Sequence, residues 1–271
     1  MSDPAAMPPW LASSLFDTPA ALVAAVVAVV LVGLSKGGMG GAFALLGVPV
    51  LSLVMSPVQA AAVLLPILLM MDAIGLWAWR HHRDWGVLRA MLPAAMLGIG
   101  IGWLTAAWTP EALVRLIVGM VAVTFVASAV LPARRAAAPA GHRPVAGWVW
   151  GASAGFTSFV AHAGGPPYQV YTLPLRLDPK VFTGTAVVFF AVVNLVKVGP
   201  YAALGQFDGR TLYSAALMLP LAAGAVLTGA AIVRRMRAAV FYPFMYTMVT
   251  LVALKLIHDG VRGLWPLLSG G

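Results

Sequence analysis

Gly33-Leu-Ser-Lys-Gly-Gly-Met-Gly-Gly41 and Gly155-Phe-Thr-Ser-Phe-Val-Ala-His-Ala-Gly-Gly-Pro-Pro167 decide the fold. Each interrupts a long apolar run, and their first glycines lie 122 positions apart. Glycine, lysine, histidine and paired prolines are costly inside a membrane helix unless the loosened backbone is buried or lines a cavity. Two such breaks in corresponding positions of a chain point to a ligand site between its halves.

The surrounding sequence supports a membrane setting. Of the 271 residues, 61% are hydrophobic and 9% charged, against about 25% charged in a soluble domain. Several apolar runs reach the ~20 residues that a spanning helix needs. There is no cysteine, which excludes disulfides and thiolate-ligated metals. The net charge of +9 does not signal nucleic acid, because the basic residues cluster. Eleven of the 17 lie in four short loops: Arg80, Arg83 and Arg89; Arg134, Arg135 and Arg143; Arg176 and Lys180; Arg234, Arg235 and Arg237. That is a topology signal. Met1 to Pro19 contains no Lys or Arg, which argues against a cleavable signal peptide.

The spacing predicts an all-α, polytopic helical membrane protein, one integral domain over 1–271. A broken hydrophobic segment covers 20–55, with spans after it at 58–79, 88–107 and 112–131. After a polar linker at 132–145, a second broken segment covers 146–175, with spans at 180–204, 211–232 and 239–257. The repeats are thus 20–131 and 146–257. Gly33 matches Gly155, Pro57 matches Pro179 and Asp72 matches Asn194 at a shift of 122, while Pro93 matches Pro220 after a short insertion. With the arginine-rich loops inside, the first half begins outside and the second inside. The repeats are expected to be inverted, with both termini outside. At ~1.5 Å per residue, 20–34 reaches about 22 Å and 166–175 about 15 Å, short of a ~30 Å hydrocarbon core. Re-entrant half-helices explain this, and so do tilted short crossings.

Both breaks carry candidate site residues. At the first, Gly37, Gly38, Gly40 and Gly41 free the backbone around Ser35 and Lys36. A helix restarting near Ala42 would offer N–H donors and a positive dipole end to an anion, and Lys36 adds a full charge. At the second break, Thr157, Ser158, His162 and Gln169 can bond anionic oxygens. Gly164 and Gly165 let a ligand approach the backbone, and the Gly-Gly-Pro-Pro turn forces a restart at 166 or 167. Asp72 is an acidic residue well inside a span, a functional candidate by position. Its repeat mate Asn194 shares a helix face with Lys197. Asp72, His162 and Lys197 are candidates for proton coupling or gating. Gln59 and Thr183 either line vestibules or cap helices. Trp77, Trp79, Trp85, Trp148 and Trp150 are expected at the membrane interfaces, and Lys255 and His258 close the last span by snorkelling. No metal motif, cofactor motif or ATP-binding motif is present in the sequence.

Gly33-Leu-Ser-Lys-Gly-Gly, Pro57-Val-Gln-Ala-Ala, Leu65-Pro through Met71-Asp72, the whole second break and Phe189-Phe-Ala-Val-Val-Asn194 together resemble the sulfite exporter TauE/SafE family, also called the 4-toluene sulfonate uptake permease family. The resemblance covers about 20–257. It implies transport of sulfite, sulfonates or related small organic acids across a bacterial inner membrane. The expected function is therefore a secondary transporter of a small anion, not an enzyme, working by alternating access with a proton as candidate coupling ion. The competing readings are an anion channel, a carboxylate transporter and a membrane scaffold. The sequence leaves the oligomeric state open.

Overall fold

The computed structural model describes residues 8, 11, 13–38, 43–105, 108–130, 139–203 and 207–268. Ten α-helices run through them: α1 Pro19–Lys36, α2 Gly47–Leu51, α3 Pro57–Ala78, α4 Trp85–Thr105, α5 Glu111–Val130, α6 Pro144–Ala161, α7 Gly165–Thr172, α8 Pro179–Ala203, α9 Gly209–Arg235 and α10 Ala238–Leu268. Two 3₁₀ turns, Phe43–Leu46 and Leu173–Leu175, complete the described elements. Gly40, Gly41, Arg134 and Arg135 lie outside the described residues.

Local chemistry sets the helix starts. Thr18 accepts from the Ala21 N–H at 3.2 Å with Pro19 behind it. Ser56 and Gln59 form a reciprocal capping box ahead of α3, so Gln59 is a cap. Asp84 accepts from Val87 N–H at 3.0 Å ahead of α4, and Asp208 from Thr211 N–H at 2.6 Å ahead of α9. Each satisfies donors that a helix start leaves orphaned.

Seven helices are long and apolar enough to cross a membrane: α1, α3, α4, α5, α8, α9 and α10. Six correspond to the predicted spans, and the seventh is the first arm of the first broken segment. The last span is longer than predicted. It runs to Leu268 rather than 257. Lys255 Nζ bonds both Asp259 oxygens one turn on, at 2.6 and 2.5 Å, so these polar residues satisfy each other without ending the helix. Gly260 then seats against Leu116 and Ala112 of α5.

Trp79 is a second correction. It is 1% exposed rather than interfacial. Its indole N–H donates to the Gly37 carbonyl at 3.1 Å, bracing the first break. Trp77, Trp85 and Trp148 are exposed.

Packing is reciprocal between the halves. The first helix of each half lies on the third long helix of the other: α1 on α9, and α6 on α4. The middle helices α3 and α8 meet, as do the last helices α5 and α10. Glycines permit this closeness. A Cβ on Gly155 would sit 2.0 Å from the Ala95 carbonyl oxygen, and one on Gly98 2.0 Å from that of Ala152. On the other pair, a Cβ on Gly33 would sit 2.5 Å from Ala225 Cβ, and one on Gly229 2.4 Å from the Leu34 carbonyl oxygen. Small residues that let backbones touch are what dispersion-driven helix association in lipid requires.

Candidate functional site

Each break ends a helix in a backbone conformation that its local sequence tolerates. After Lys36, the Gly37 and Gly38 N–H groups return to Gly33 and Ser35 carbonyls. Gly38 then turns out at φ +138, with Thr183 Cγ2 2.7 Å from where a Cβ would lie. Only glycine fits both constraints. The chain resumes at Phe43 as one 3₁₀ turn and then five residues of α2. A short 3₁₀ turn therefore stands where an α-helix N-terminus was expected near Ala42. So short a helix as α2 adds little dipole.

The second break is sharper. α6 stops at Ala161 because His162 adopts a left-handed conformation, φ 51, an uncommon choice for a non-glycine residue that costs about 1–2 kcal/mol. Ala163 N–H returns to the Thr157 carbonyl at 3.0 Å. α7 begins at Gly165, one residue ahead of the predicted restart, and carries Pro166 and Pro167 in its first turn. Those prolines offer no N–H, so few backbone donors face a ligand here. The segment doubles back on α6: Gly164 approaches Ala154 and Ser158, and the Tyr171 ring reaches Gly147. α6 and α7 thus form a hairpin with its tip at His162–Gly164.

Between the two breaks lies a cavity of about 110 Å³. Ser35, Lys36 and Gly38 of the first break line it, with Ser158, His162, Gly164, Gly165 and Gln169 of the second. Asn194 and Lys197 complete that set from α8. Most of the predicted site residues that are described therefore converge, although they come from distant parts of the chain. Three do not line the cavity. Gly37 packs on the α9 backbone at Val226 and Ala230. The Thr157 hydroxyl donates to the Ser153 carbonyl at 2.7 Å. Asp72 is buried beside the cavity and reaches it through its partners.

The polar core is built on Asp72. Its Oδ1 accepts from Lys36 Nζ at 2.6 Å, and its Oδ2 from Asn194 Nδ2 at 2.6 Å. Both carboxylate oxygens are thus engaged in charge-assisted bonds, the strong kind. Lys36 Nζ also stands 5.7 Å from the Phe190 ring centroid, within cation–π range. Lys197 is placed differently. It is 1% exposed, and among the described residues its ammonium bonds Ser158 alone, the carbonyl at 3.3 Å and the hydroxyl at 3.4 Å. No carboxylate is within ion-pair distance of it among the described residues.

The walls hold further unfilled bonding capacity. Ser35 Oγ, Thr183 Oγ1 and Tyr168 Oη are buried and have no hydrogen-bond partner among the described residues, and all three residues line the cavity. Buried polar groups are nearly always paired, so three such hydroxyls around one space, beside a weakly held ammonium, leave bonding capacity unused among the described residues. The remaining wall is apolar, with Val32, Leu64, Leu68, Val187 and Phe190.

Sequence reasoning missed Tyr168, Phe190 and Tyr201 as participants. Tyr201 Oη lies 2.9 Å from His162 Nε2, so the histidine at the hairpin tip is held from α8. A signal was present in α8. Thr183, Val187, Phe190, Asn194, Lys197 and Tyr201 recur at three- and four-residue steps, one helix face. A second cavity of about 250 Å³ lies on the far side of His162 and Val48, which wall both spaces. Arg115, Lys255 and Asp259 line it.

The family model for sulfite exporter TauE/SafE matches residues 25–256. The chain belongs to the sulfite exporter TauE/SafE family. No curated protein and no solved structure matches it. Membership places this TauE/SafE protein in a family of membrane transporters, and its seven apolar helices make it a multi-pass membrane protein. The match begins within α1 and ends in α10, so it takes in both breaks and every residue around the central cavity.

Proposed function

We propose that this TauE/SafE protein is a secondary transporter of small sulfur-containing anions, sulfite or organosulfonates, in a bacterial inner membrane. The observation that carries the reading is the central cavity: among the described residues, a buried lysine held only by weak neutral contacts is ringed by three unpartnered hydroxyl groups. An oxyanion supplies both the charge and the acceptors that these groups lack. Lys197 is the principal anion-binding charge, Ser35, Thr183 and Tyr168 orient the oxygens, and Lys36 is steadied by Asp72.

Alternating access is supported by the reciprocal packing of the halves and by their shared anchors at a shift of 122. In this reading the repeats are inverted, 20–131 against 146–257, and the central site lies where their broken segments converge. The clustered arginines set the linker inside and both termini outside. Asp72 is the coupling residue: protonating Oδ1 ends its ion pair with Lys36, leaves Oδ2 to accept from Asn194, and frees the two halves to rock. Export of an anion is favoured by an inside-negative potential, at about 2.3 kcal/mol per charge per 100 mV.

The test is flux into proteoliposomes. Labelled sulfite or a sulfonate should show saturable transport and counterflow, and Lys197→Met should abolish both without loss of folded protein. Unitary currents in a planar bilayer would make the protein a channel. Flux of small carboxylates with none of sulfur anions would remove the substrate assignment.

A further inference from the structure

We infer that the central site selects an anion carrying one negative charge, and that Asp72 sets that number. The inference rests on the transport reading above and narrows its substrate class.

The charge count comes from four groups. Lys36 and Lys197 are the charged side chains lining the cavity among the described residues, and His162 is the titratable ring beside them. Asp72 stands directly behind Lys36, 2.6 Å from its ammonium. That pair cancels. His162 is bonded to Tyr201; a proton on it would add a third buried cation to a site with one carboxylate, at a cost of several kcal/mol. The ring is therefore neutral. What remains is the single positive charge of Lys197, met by the carbonyl and hydroxyl of Ser158, neither of them charged.

The surroundings make this sum matter. Leu64, Leu68, Val187 and Phe190 wall the same space, so an uncompensated charge there is poorly screened. A monoanion brings the site to neutrality. A dianion leaves an excess negative charge beside Asp72, and a neutral solute leaves Lys197 unpaired. Hydrogensulfite and sulfonate head groups satisfy the sum, whereas sulfate and fully ionised sulfite do not. Replacing Asp72 by a neutral isostere raises the fixed charge to two and should suit the site to dianions.

The experiment measures binding of matched ligands to the purified full-length protein in detergent, by calorimetry, with methanesulfonate as monoanion and sulfate as dianion. The native protein should bind methanesulfonate at least about tenfold more tightly than sulfate. Asp72→Asn should narrow or reverse the methanesulfonate-to-sulfate ratio by a similar factor. The native ligand series decides the matter by itself if that variant does not fold. Equal affinity of the native protein for the two ligands, or an unchanged ratio in folded Asp72→Asn, overturns the charge rule and leaves the transport reading standing. Failure of the native protein to bind sulfite, methanesulfonate or sulfate overturns both.

Discussion

Asn194 donates a 2.6 Å hydrogen bond to Asp72, the residue 122 positions before it. That separation is the shift that aligns Gly33 with Gly155 and Pro57 with Pro179. The bond therefore ties a pattern in the sequence to a contact in space. Asp72 neutralises Lys36 through one carboxylate oxygen, and the Asn194 amide holds the other.

The Lys36–Asp72 pair should behave as a buried ion pair. Its side chains are 12% and 4% exposed. Lys36→Met leaves the carboxylate with Asn194 alone and should destabilise the protein by about 3–5 kcal/mol. Lys36→Met combined with Asp72→Asn should recover much of that loss. A double-mutant cycle on thermal unfolding in detergent checks this. Additive single effects would mean that the two side chains do not interact in solution.

Lys197 should trade stability against binding. An ammonium buried with only long neutral contacts is a net cost to the ligand-free protein. Lys197→Met keeps the aliphatic length and should raise the stability of the ligand-free protein by about 1–3 kcal/mol, while removing stabilisation by added anion. A thermal-unfolding series with and without methanesulfonate reads both effects. A Lys197→Met protein that is less stable than the native one would show that the lysine has a structural partner.

Helix packing makes a local contrast within α4. Gly98→Ala would put a methyl 2.0 Å from the Ala152 carbonyl oxygen, whereas a Cβ on Gly100 meets nothing within 4 Å. The first change should cost about 1–3 kcal/mol or more by prying α4 from α6. The second should stabilise by about 0.5–1 kcal/mol through helix propensity. Folded yield and melting temperature of the two variants, side by side, check the packing.

Asp84, in the loop between α3 and α4, predicts acid sensitivity. Burial pushes its carboxyl up, but the Val87 N–H, the His142 ring and the Gly86 N–H outweigh this and hold it below the ordinary value of 3.8. His142 Nε2 lies 2.9 Å away. A carboxyl depressed on folding contributes stability that is present above its unfolded value and lost as pH falls through the folded one. The native protein should therefore lose stability as pH drops below about 4, and Asp84→Asn should flatten that part of the profile. Unfolding temperature against pH for both proteins is the measurement, and parallel profiles would remove Asp84 from the account.

Much of this architecture was legible in order along the chain. Apolar length and clustered arginines located six long helices, because lipid forces every spanning segment to be a continuous hydrogen-bonded run. The Ser-Lys-Gly-Gly and Gly-Gly-Pro-Pro interruptions announced both breaks for the same reason. Hydropathy misplaced two features. It ended α10 at Lys255 and His258, because it scores a residue's polarity without knowing that Lys255 and Asp259 satisfy each other. It put Trp79 at an interface, because the indole's partner, the Gly37 carbonyl, is 42 residues away.

Local rules were enough to establish an all-helical membrane protein with two interrupted segments and to name most of the side chains around them. Helix length, glycine freedom and proline geometry act over a few residues, so they can be read along the chain. Which lysine is free could not be read there. Lys36 and Lys197 look alike in sequence, as single cations in apolar surroundings. The fold brings Asp72 to Lys36 at 2.6 Å and leaves Lys197 with Ser158. The distinction depends on how α1, α3, α6 and α8 pack, and a charge in low dielectric is defined by the partners that packing supplies.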